Sequence, residues 1–290
     1  MCSAVIKNFI PVIACLGICL TACNNNKSEN QLKAEGILTQ AQSSFENKKY
    51  DLAITQLDSL MKKYPGEIDV QRNAMHLRTL VIEKKTIIDS IANDSTIAAN
   101  KQIVDSLSNM FRYVKTRDMV EGYFVSKAIS DNHLTKQTDI EVRIDDRGNI
   151  YLLSSLYGNT IHHTYLKAKC NAGTVETKAV AFDNAKNYRF KDGNTSVEMI
   201  TFDKEACDTL CQFISENRNT AITIEFCGRK SYSMQLSNKT KNSIADTYLF
   251  ATRKSNLKKA EDLKKFYAQK LVITRKQSRQ TATNINGDTK

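Results

Sequence analysis

Apolar residues in the first third of the chain recur every three or four positions, which is the periodicity of amphipathic helices. Within residues 34–65 this pattern stops at 47–50, where polar residues and one tyrosine interrupt it. The segment is therefore predicted to form the two helices of a hairpin. The apolar positions that carry the prediction are Ile37, Ala41, Phe45, Ala53, Leu57 and Leu60.

Residues 67–116 continue the helical pattern with apolar positions alternately three and four apart, the spacing of a coiled-coil seam. Four polar residues at 93–96 separate two such runs, and their side chains suit the N-cap of a second helix. The pattern predicts an antiparallel helix pair at 67–92 and 97–116, packed on the first hairpin or on another chain. The seam positions are Leu77, Leu80, Lys84, Ile87, Ile91, Val104, Leu107, Phe111 and Val114.

From about Gly122 the period changes to two, which indicates strands. Residues 139–144 alternate polar and apolar, and Gly148 lies in a turn before the next apolar run, 150–153, so we predict a hairpin. Asp203 is placed to cap a helix that ends near residue 216. The other predicted elements are strands at 160–170, 174–182 and 196–202, a hairpin of 221–226 with 231–236, and helices at 238–252 and 255–270.

The order of these elements predicts an α+β fold, in which N-terminal helical hairpins precede a mainly antiparallel β domain with C-terminal helices. Apolar residues make up 41% of the chain and charged residues 25%, which is a globular composition. The absence of Trp excludes a Trp-lined sugar platform.

The first 22 residues have the organisation of a secretory signal peptide, with one basic residue, Lys7, before a short apolar stretch at 9–20. That stretch is shorter than the roughly 20 residues that span a bilayer. It leads into the sequence Leu20-Thr21-Ala22-Cys23. These four positions resemble the lipobox of bacterial lipoproteins, and the resemblance implies that Cys23 becomes the lipidated first residue. The alternatives are an ordinary cleaved signal and an uncleaved anchor.

No Asp follows Cys23 directly. In the lipoprotein sorting rule of many Gram-negative bacteria its absence implies the outer membrane, so we expect a cell-envelope protein held there by its lipid. The predicted segments are a signal peptide at 1–22, a lipidated tether at 23–30, a helical domain at 31–118, an α+β domain at 119–275 and a flexible basic tail at 276–290.

The first helical hairpin resembles one tetratricopeptide repeat over about 34 residues. Two features depart from the repeat: Lys49 stands where a glycine usually precedes the aromatic residue, and Leu60 stands where a small residue is usual. The positions that fit are Ala41, Tyr50, Ala53 and Pro65.

The resemblance to a tetratricopeptide repeat implies a partner-binding groove on the helices. Tyr50, Leu57 and Tyr64 are the candidates for its face. The alternative is a plain helical bundle, since three repeats are normally needed to form a concave surface.

Positive charge is concentrated near the C-terminus of a chain whose formal charge is +11. Residues 251–290 hold 11 basic and three acidic side chains, a net charge of +8. The helix there is predicted to place apolar residues on one face and lysines on the other, as helices on anionic membrane surfaces do. The alternatives are an acidic partner and an ordinary helix packed on the sheet. The candidates for contact with an anionic surface are Lys258, Lys259, Lys264 and Lys265. The predicted apolar face comprises Leu257, Ala260, Leu263, Phe266, Tyr267 and Leu271.

The sequence contains none of the short motifs of nucleotide-binding, zinc-peptidase or α/β-hydrolase sites. Asp145 and Asp146 lie in a predicted turn without the alternating oxygen ligands of a calcium site. His162 and His163 are adjacent, so in a strand they would face opposite ways and could not grip one metal. Each of these, like His76 and His133, is expected to be an isolated core or surface histidine. A triad assembled from distant residues stays open.

Four cysteines remain in the chain after Cys23. Their even number allows two disulfides in an exported protein. Their apolar, strand-like neighbourhoods favour buried free thiols instead. These residues are Cys170, Cys207, Cys211 and Cys227.

These features predict a lipid-anchored cell-envelope protein that acts as a non-enzymatic protein-binding or scaffold component, without catalytic residues, cofactor or metal. Its expected partners are the membrane, through the anchor, and another envelope protein, but no nucleic acid. The alternative is a lipid-anchored enzyme or ligand-binding protein whose site lies on the C-terminal β domain.

Overall fold

The structure, a computed structural model, describes residues 27–287 except 118 and 132. The fold is α+β, as predicted, with helices before and after antiparallel sheets. The helices are α1 (Glu29–Glu46), α2 (Tyr50–Lys63), α3 (Ile68–Ser108), α4 (His133–Lys136), α5 (Lys204–Glu216) and α6 (Asn238–Gly287). The strands are β1 (Phe111–Val114), β2 (Tyr123–Ser126), β3 (Asp139–Asp145), β4 (Ile150–Tyr157), β5 (Tyr165–Cys170), β6 (Gly173–Glu176), β7 (Asn187–Asp192), β8 (Thr195–Phe202), β9 (Thr223–Cys227) and β10 (Ser231–Gln235).

The described residues form two compact units, one of residues 27–82 with 278–287 and the other of residues 83–277. This division replaces the predicted boundary near 118, because α3 and α6 each contribute to both units and strand β1 already begins at Phe111. The first is called the helical unit below, and the second the sheet unit.

The helical unit contains the predicted hairpin, which α1 and α2 confirm. Ser28 caps α1 by accepting a hydrogen bond from the backbone N–H of Gln31 at 3.1 Å. Lys48 turns the chain between the helices with a φ of 59°. Alanines let the two helices approach closely, and α3 covers the remaining apolar face. The buried core consists of Ala34, Ala41, Ala53, Leu57, Leu60, Val70, Ala74, Leu77 and Val81.

Helix α3 is continuous, so the predicted break at 93–96 is wrong. Ser95 and Thr96 donate their hydroxyls to backbone carbonyls one turn earlier, at 3.2 and 3.1 Å. Asn93 donates its side-chain amide to the Ala260 carbonyl at 2.8 Å. Polar side chains satisfied in these ways do not cap a new helix, and α3 contains no Gly or Pro that would stop it.

The sheet unit contains a six-stranded sheet, sheet A, in the order β1-β2-β3-β4-β8-β7, and a four-stranded sheet, sheet B, in the order β10-β9-β5-β6. The predicted hairpins β3–β4 and β9–β10 are confirmed. Gly148 turns β3 into β4 with a φ of 87°, and a Cβ there would lie 2.9 Å from the backbone nitrogen of Ser255. Glycine is thus required both by the left-handed backbone and by the close approach of α6.

Other strand predictions need correction. Phe111 and Val114, predicted in a helix, lie in β1, and β7 was not predicted at all. The predicted strands at 160–170 and 174–182 are shorter, because β5 begins at Tyr165 and β6 ends at Glu176.

Helix α5 is confirmed with its cap: Asp203 accepts a hydrogen bond from the backbone N–H of Ala206 at 3.2 Å. Helix α6 runs to Gly287 without the break predicted near 253, and it replaces the flexible tail predicted from 276. No Gly or Pro interrupts residues 238–286, so nothing in the backbone stops the helix.

The core of the sheet unit lies between the inner faces of the two sheets and is closed by α5 and α6. Phe202, Phe226 and Phe250 are its largest buried side chains. None of the helices in residues 27–287 combines the length and apolarity that a membrane crossing requires.

Candidate functional sites

The predicted lipidation site, Cys23, lies outside the described residues, so the structure gives no geometry for the lipobox. The anchor stays a prediction from sequence.

The predicted binding face of the hairpin turns inward. Leu57 is fully buried, and Tyr50 and Tyr64 are partly buried and pack against the same core. Tyr50 also packs on Phe45 with ring centroids 6.0 Å apart. A single hairpin has to bury its apolar face against a neighbour, and α3 uses the face that a longer repeat array would present. These three residues therefore do not line an accessible groove.

An accessible groove does exist on the helical unit, but α1 and α3 form it. Its volume is about 360 Å³. The α3 residues follow the spacing i, i+3, i+4 and i+7, so they present one continuous side of the helix. His76 is held by Thr281, whose hydroxyl lies 3.0 Å from its Nδ1. The lining residues are Leu38, Thr39, Gln42, Asn73, His76, Leu77 and Leu80.

The four predicted surface lysines of α6 have different surroundings. Lys264 pairs with Asp94 on α3 at 3.0 Å. Lys258 and Lys265 both pair with Asp262, at 3.3 and 3.5 Å. Lys259 instead lines a pocket of about 190 Å³ beside Lys204 and Asp208.

The predicted apolar face of α6 is divided. Ala260 is buried and Leu257, Tyr267 and Leu271 are half-buried, whereas Leu263 and Phe266 are exposed.

A buried chain of hydrogen bonds joins Ser154, His163 and Glu198 inside the sheet unit. The Ser154 Oγ lies 2.9 Å from His163 Nε2, and His163 Nδ1 lies 2.9 Å from Glu198 Oε2. Ser154 is on β4 and Glu198 on the adjacent β8, while His163 comes from the segment that connects β4 to β5. The order of groups is that of a Ser-His-acid triad.

Glu198 also holds the backbone of the connecting segment. Its oxygens accept hydrogen bonds from the N–H groups of His162 at 2.7 Å and His163 at 3.0 Å. Burial alone would raise the pKa of Glu198, but the hydrogen bonds from the His163 ring and from both backbone N–H groups lower it to about 2. The carboxylate is therefore ionised at neutral pH and accepts a hydrogen bond from the N–H of His163 Nδ1. In the neutral imidazole this leaves Nε2 to accept a hydrogen bond from the Ser154 hydroxyl.

The segment around His163 is tightly held. His162 adopts a φ of 58°, in the left-handed region, and a Cβ on Gly228 would lie 2.4 Å from the His162 carbonyl oxygen. The Phe226 ring packs edge-on against the His163 ring at 5.4 Å. Such a strained backbone persists only where its surroundings enforce it.

Access to the Ser154 hydroxyl is closed in this structure. Ser154 and His163 are 0% exposed and Glu198 is 1% exposed. The arrangement thus has the hydrogen bonds of a nucleophile site without an opening for a substrate.

Sequence reasoning missed the Ser154–His163–Glu198 chain, although one signal in the sequence could have identified two of its members. Glu198 alternates in phase with Ile200 and Phe202, and Ser154 with Leu152, so both polar residues fall on inward positions of their strands. His163, which completes the chain, lies outside both strands and carries no such signal.

The remaining candidate groups do not come together in one site. Asp145 accepts hydrogen bonds from the backbone of Arg147 and Asn149, as expected for a turn. His133 lies 2.9 Å from Asp139. In the described part of the chain, no group of three or more His, Cys, Asp or Glu is placed to hold a metal ion.

The four cysteines are free thiols, and all but Cys170 are buried. Cys207 and Cys211 are one turn apart on α5. The hydrogen bond to Cys207, together with burial, raises the pKa of the Cys211 thiol. Neutral buried thiols behave as small apolar side chains, so they serve packing.

Comparison of the chain with protein-family models, with curated proteins and with solved structures finds no match in any of the three.

Proposed function

We propose that the protein is a lipid-anchored component of the cell envelope that binds another protein and catalyses no reaction. The lipobox-like residues ending at Cys23 support the anchor. The observation that carries the binding role is the apolar groove between α1 and α3, because an amphipathic helix of a partner can lay its apolar side into such a groove.

The occupant that best fits the groove is an amphipathic helix of the partner. Leu38, Leu77 and Leu80 supply its apolar contacts. Thr39, Gln42 and Asn73 supply polar groups that fix the register of a bound segment. A helix that enters the groove would cover Leu38 and Leu80, which the helical unit leaves half-buried, beside the buried Leu77.

The groove is tested by Leu38→Glu, which places a charge among its leucines. The matched control is Leu32→Glu, on the same helix and 56% exposed. After crosslinking in intact cells, we expect Leu38→Glu to lose the protein captured by wild type and Leu32→Glu to retain it. Capture of the same protein by both variants, with α-helical content unchanged, would assign the interaction to another surface.

The anchor is tested separately by Cys23→Ala, which removes the thiol that would be alkylated. We expect this variant to leave the membrane fraction or to accumulate unprocessed. If Cys23→Ala sediments with outer membranes as wild type does, the proposed anchor is contradicted. That result would not bear on the proposed binding groove.

A second candidate function, acyl transfer by Ser154, is favoured by the ordered hydrogen bonds through His163 to Glu198. It requires the segment around His163 to open. A fluorophosphonate probe tests it, because an activated serine hydroxyl attacks the phosphorus of such a probe, displaces fluoride and becomes phosphonylated. The matched control is Ser155→Ala, since Ser155 is the next residue of β4 and equally buried. Labelling that Ser154→Ala abolishes and Ser155→Ala retains would establish the enzyme and overturn the non-enzymatic proposal.

A further inference from the structure

One side of α6 within the sheet unit is apolar and exposed. Leu263, Phe266 and Ile273 are 45%, 52% and 56% exposed. Lys259 and Lys270 continue the same spacing of three and four residues, so all five side chains lie along one line of the helix. We call these five residues the α6 stripe.

The apolar residues of the α6 stripe lie outside the side of α6 that packs on α3, whereas Lys259 lines the pocket beside Asp208. The side that meets α3 includes Ala260, which is 3% exposed and whose carbonyl accepts the Asn93 amide, and Thr274, which is 4% exposed. Leu263 and Phe266 lie beside that contact, and about half of each side chain stays exposed. The packing of α6 therefore accounts for only part of their apolar character.

The charge around the stripe is strongly positive. Residues 253–277 contain nine Lys or Arg and two acids, a net charge of +7. Arg275 pairs with Glu83 at 3.1 Å, and Lys258, Lys264 and Lys265 are paired as described above. Among the residues that the structure describes, Lys259 and Lys270 have no carboxylate within ion-pair distance. The Lys270 ammonium lies 5.8 Å from the centre of the Phe266 ring.

We propose that the α6 stripe lies on an anionic membrane surface. Phe and Leu side chains flanked by lysines are the composition of helices that insert their apolar side among lipid headgroups. Lys259 and Lys270 are separated by about 16 Å along the helix, and a sheet of headgroups offers negative charge at both points. A second copy of the chain would bring like charges together.

The inference rests on the proposed envelope location, which places a membrane beside the protein, but not on the groove. It gives the lipid anchor a second contact, since stable membrane attachment commonly combines acyl chains with a basic surface. An acidic protein is the competing occupant, and the experiment distinguishes it.

The natural chain contains no Trp, so a single introduced Trp reports its own surroundings without background. Phe266→Trp places the reporter in the stripe. Phe182→Trp is the matched control, at a phenylalanine that is 48% exposed on the sheet unit and outside α6. The chain from residue 24 onward, prepared without acyl groups, is mixed with vesicles of phosphatidylglycerol and phosphatidylcholine. Emission of Phe266→Trp should shift to shorter wavelength, and that of Phe182→Trp should stay unchanged.

Charge is tested by co-sedimentation with the same vesicles. The double variant Lys259→Gln/Lys270→Gln should partition into the vesicles up to about thirtyfold more weakly than wild type. Each lysine near an anionic surface contributes about fivefold, and the two factors multiply. The control pair, Lys191→Gln with Lys230→Gln, removes the same charge from exposed positions of the sheet unit, one on β7 and one in the β9–β10 turn, and should change partitioning far less. Leu263→Ala should weaken partitioning, whereas Leu52→Ala, at a leucine of nearly equal exposure (46%), should not.

Three outcomes would overturn the inference: no emission shift with anionic vesicles, equal binding to pure phosphatidylcholine, or equal losses in the two lysine pairs. Binding of polyglutamate to the stripe without any binding to vesicles would assign it to an acidic protein. None of these outcomes bears on the loss of a partner by Leu38→Glu, so failure of this inference is distinguishable from failure of the proposed function.

Discussion

The core of the helical unit and the core of the sheet unit differ in the types of residue that they bury. The core of the helical unit is made of alanines, leucines and valines, without a buried ionisable group among them. The core of the sheet unit has an equally apolar shell, yet it encloses the carboxylate of Glu198 bonded to His163. Apolar packing alone can stabilise the first core. The second core also requires the hydrogen bonds that join Ser154, His163 and Glu198.

This difference decides how each core tolerates change. A substitution in an apolar core lowers stability in proportion to the atoms that it removes and to the cavity that it leaves. A buried charge that loses its partners leaves uncompensated groups, at a cost well above the net strength of the bonds. Glu198 also accepts hydrogen bonds from two backbone N–H groups of the segment that connects β4 to β5. Loss of its carboxylate would therefore also affect the conformation of that segment.

The largest effect is expected from Glu198→Ala. It removes the acceptor for the His163 ring and for two backbone N–H groups, so the free energy of unfolding should fall by about 3–5 kcal/mol. Denaturant unfolding followed by the β-sheet signal measures it. Glu176→Ala, at an exposed acid on β6, should change stability by less than about 0.5 kcal/mol. A loss below about 1 kcal/mol for Glu198→Ala would show that the polar chain does not hold the core.

The apolar core is tested by Leu57→Ala, which removes a fully buried side chain from α2. The loss should be about 2–4 kcal/mol, from lost burial and the remaining cavity. Hydrogen exchange of the α2 amides measures the effect locally. Leu52→Ala on the same helix should leave that exchange nearly unchanged, because Leu52 is 46% exposed. Equal effects of the two variants would contradict the described packing.

The same contrast explains which elements could be predicted from sequence. The α1–α2 hairpin and helix α5 follow from apolar spacing and, for α5, from the Asp203 cap, because local rules govern both. The continuity of α3 could not be predicted, since Asn93 is satisfied by the carbonyl of Ala260, 167 residues away. Propensity at 93–96 favoured a break, and a long-range contact overrode it.

The candidate sites were predicted less well than the fold. Leu57 was assigned to a binding face because a repeat array exposes that face, whereas one hairpin buries it under α3. The stripe residues Leu263 and Phe266 were assigned to the same apolar face as the buried Ala260, because sequence spacing cannot tell which side of a helix finds a neighbour. His163 meets Ser154 only because strand register and a tight connection bring them together.

The acid dependence of the two cores should also differ. The pKa of Glu198 is lowered to about 2, below the ordinary value of about 4.3 in an unfolded chain. A lowered pKa stabilises the fold above the unfolded value, and this contribution is lost as the pH falls toward 2. Between pH 5 and pH 2, wild type should lose about 2–3 kcal/mol more than Glu198→Gln. Parallel losses in the two proteins would show that Glu198 is not the acid-sensitive group of the sheet unit.

The smallest effect concerns the turn of the helical hairpin. Lys48 has a φ of 59°, which a residue with a Cβ adopts at a cost, and its side chain is exposed. Lys48→Gly should therefore raise the free energy of unfolding by about 0.4–1 kcal/mol, because relief of the strain exceeds the added freedom of the unfolded chain. Lys48→Ala is the matched control, since it removes the same charge and stem but keeps the Cβ. Thermal unfolding followed by the helical signal measures both variants. If Lys48→Ala raises the free energy of unfolding as much as Lys48→Gly does, the effect comes from the lysine side chain. If only Lys48→Gly raises it, the effect comes from the strained backbone of this turn in the helical unit.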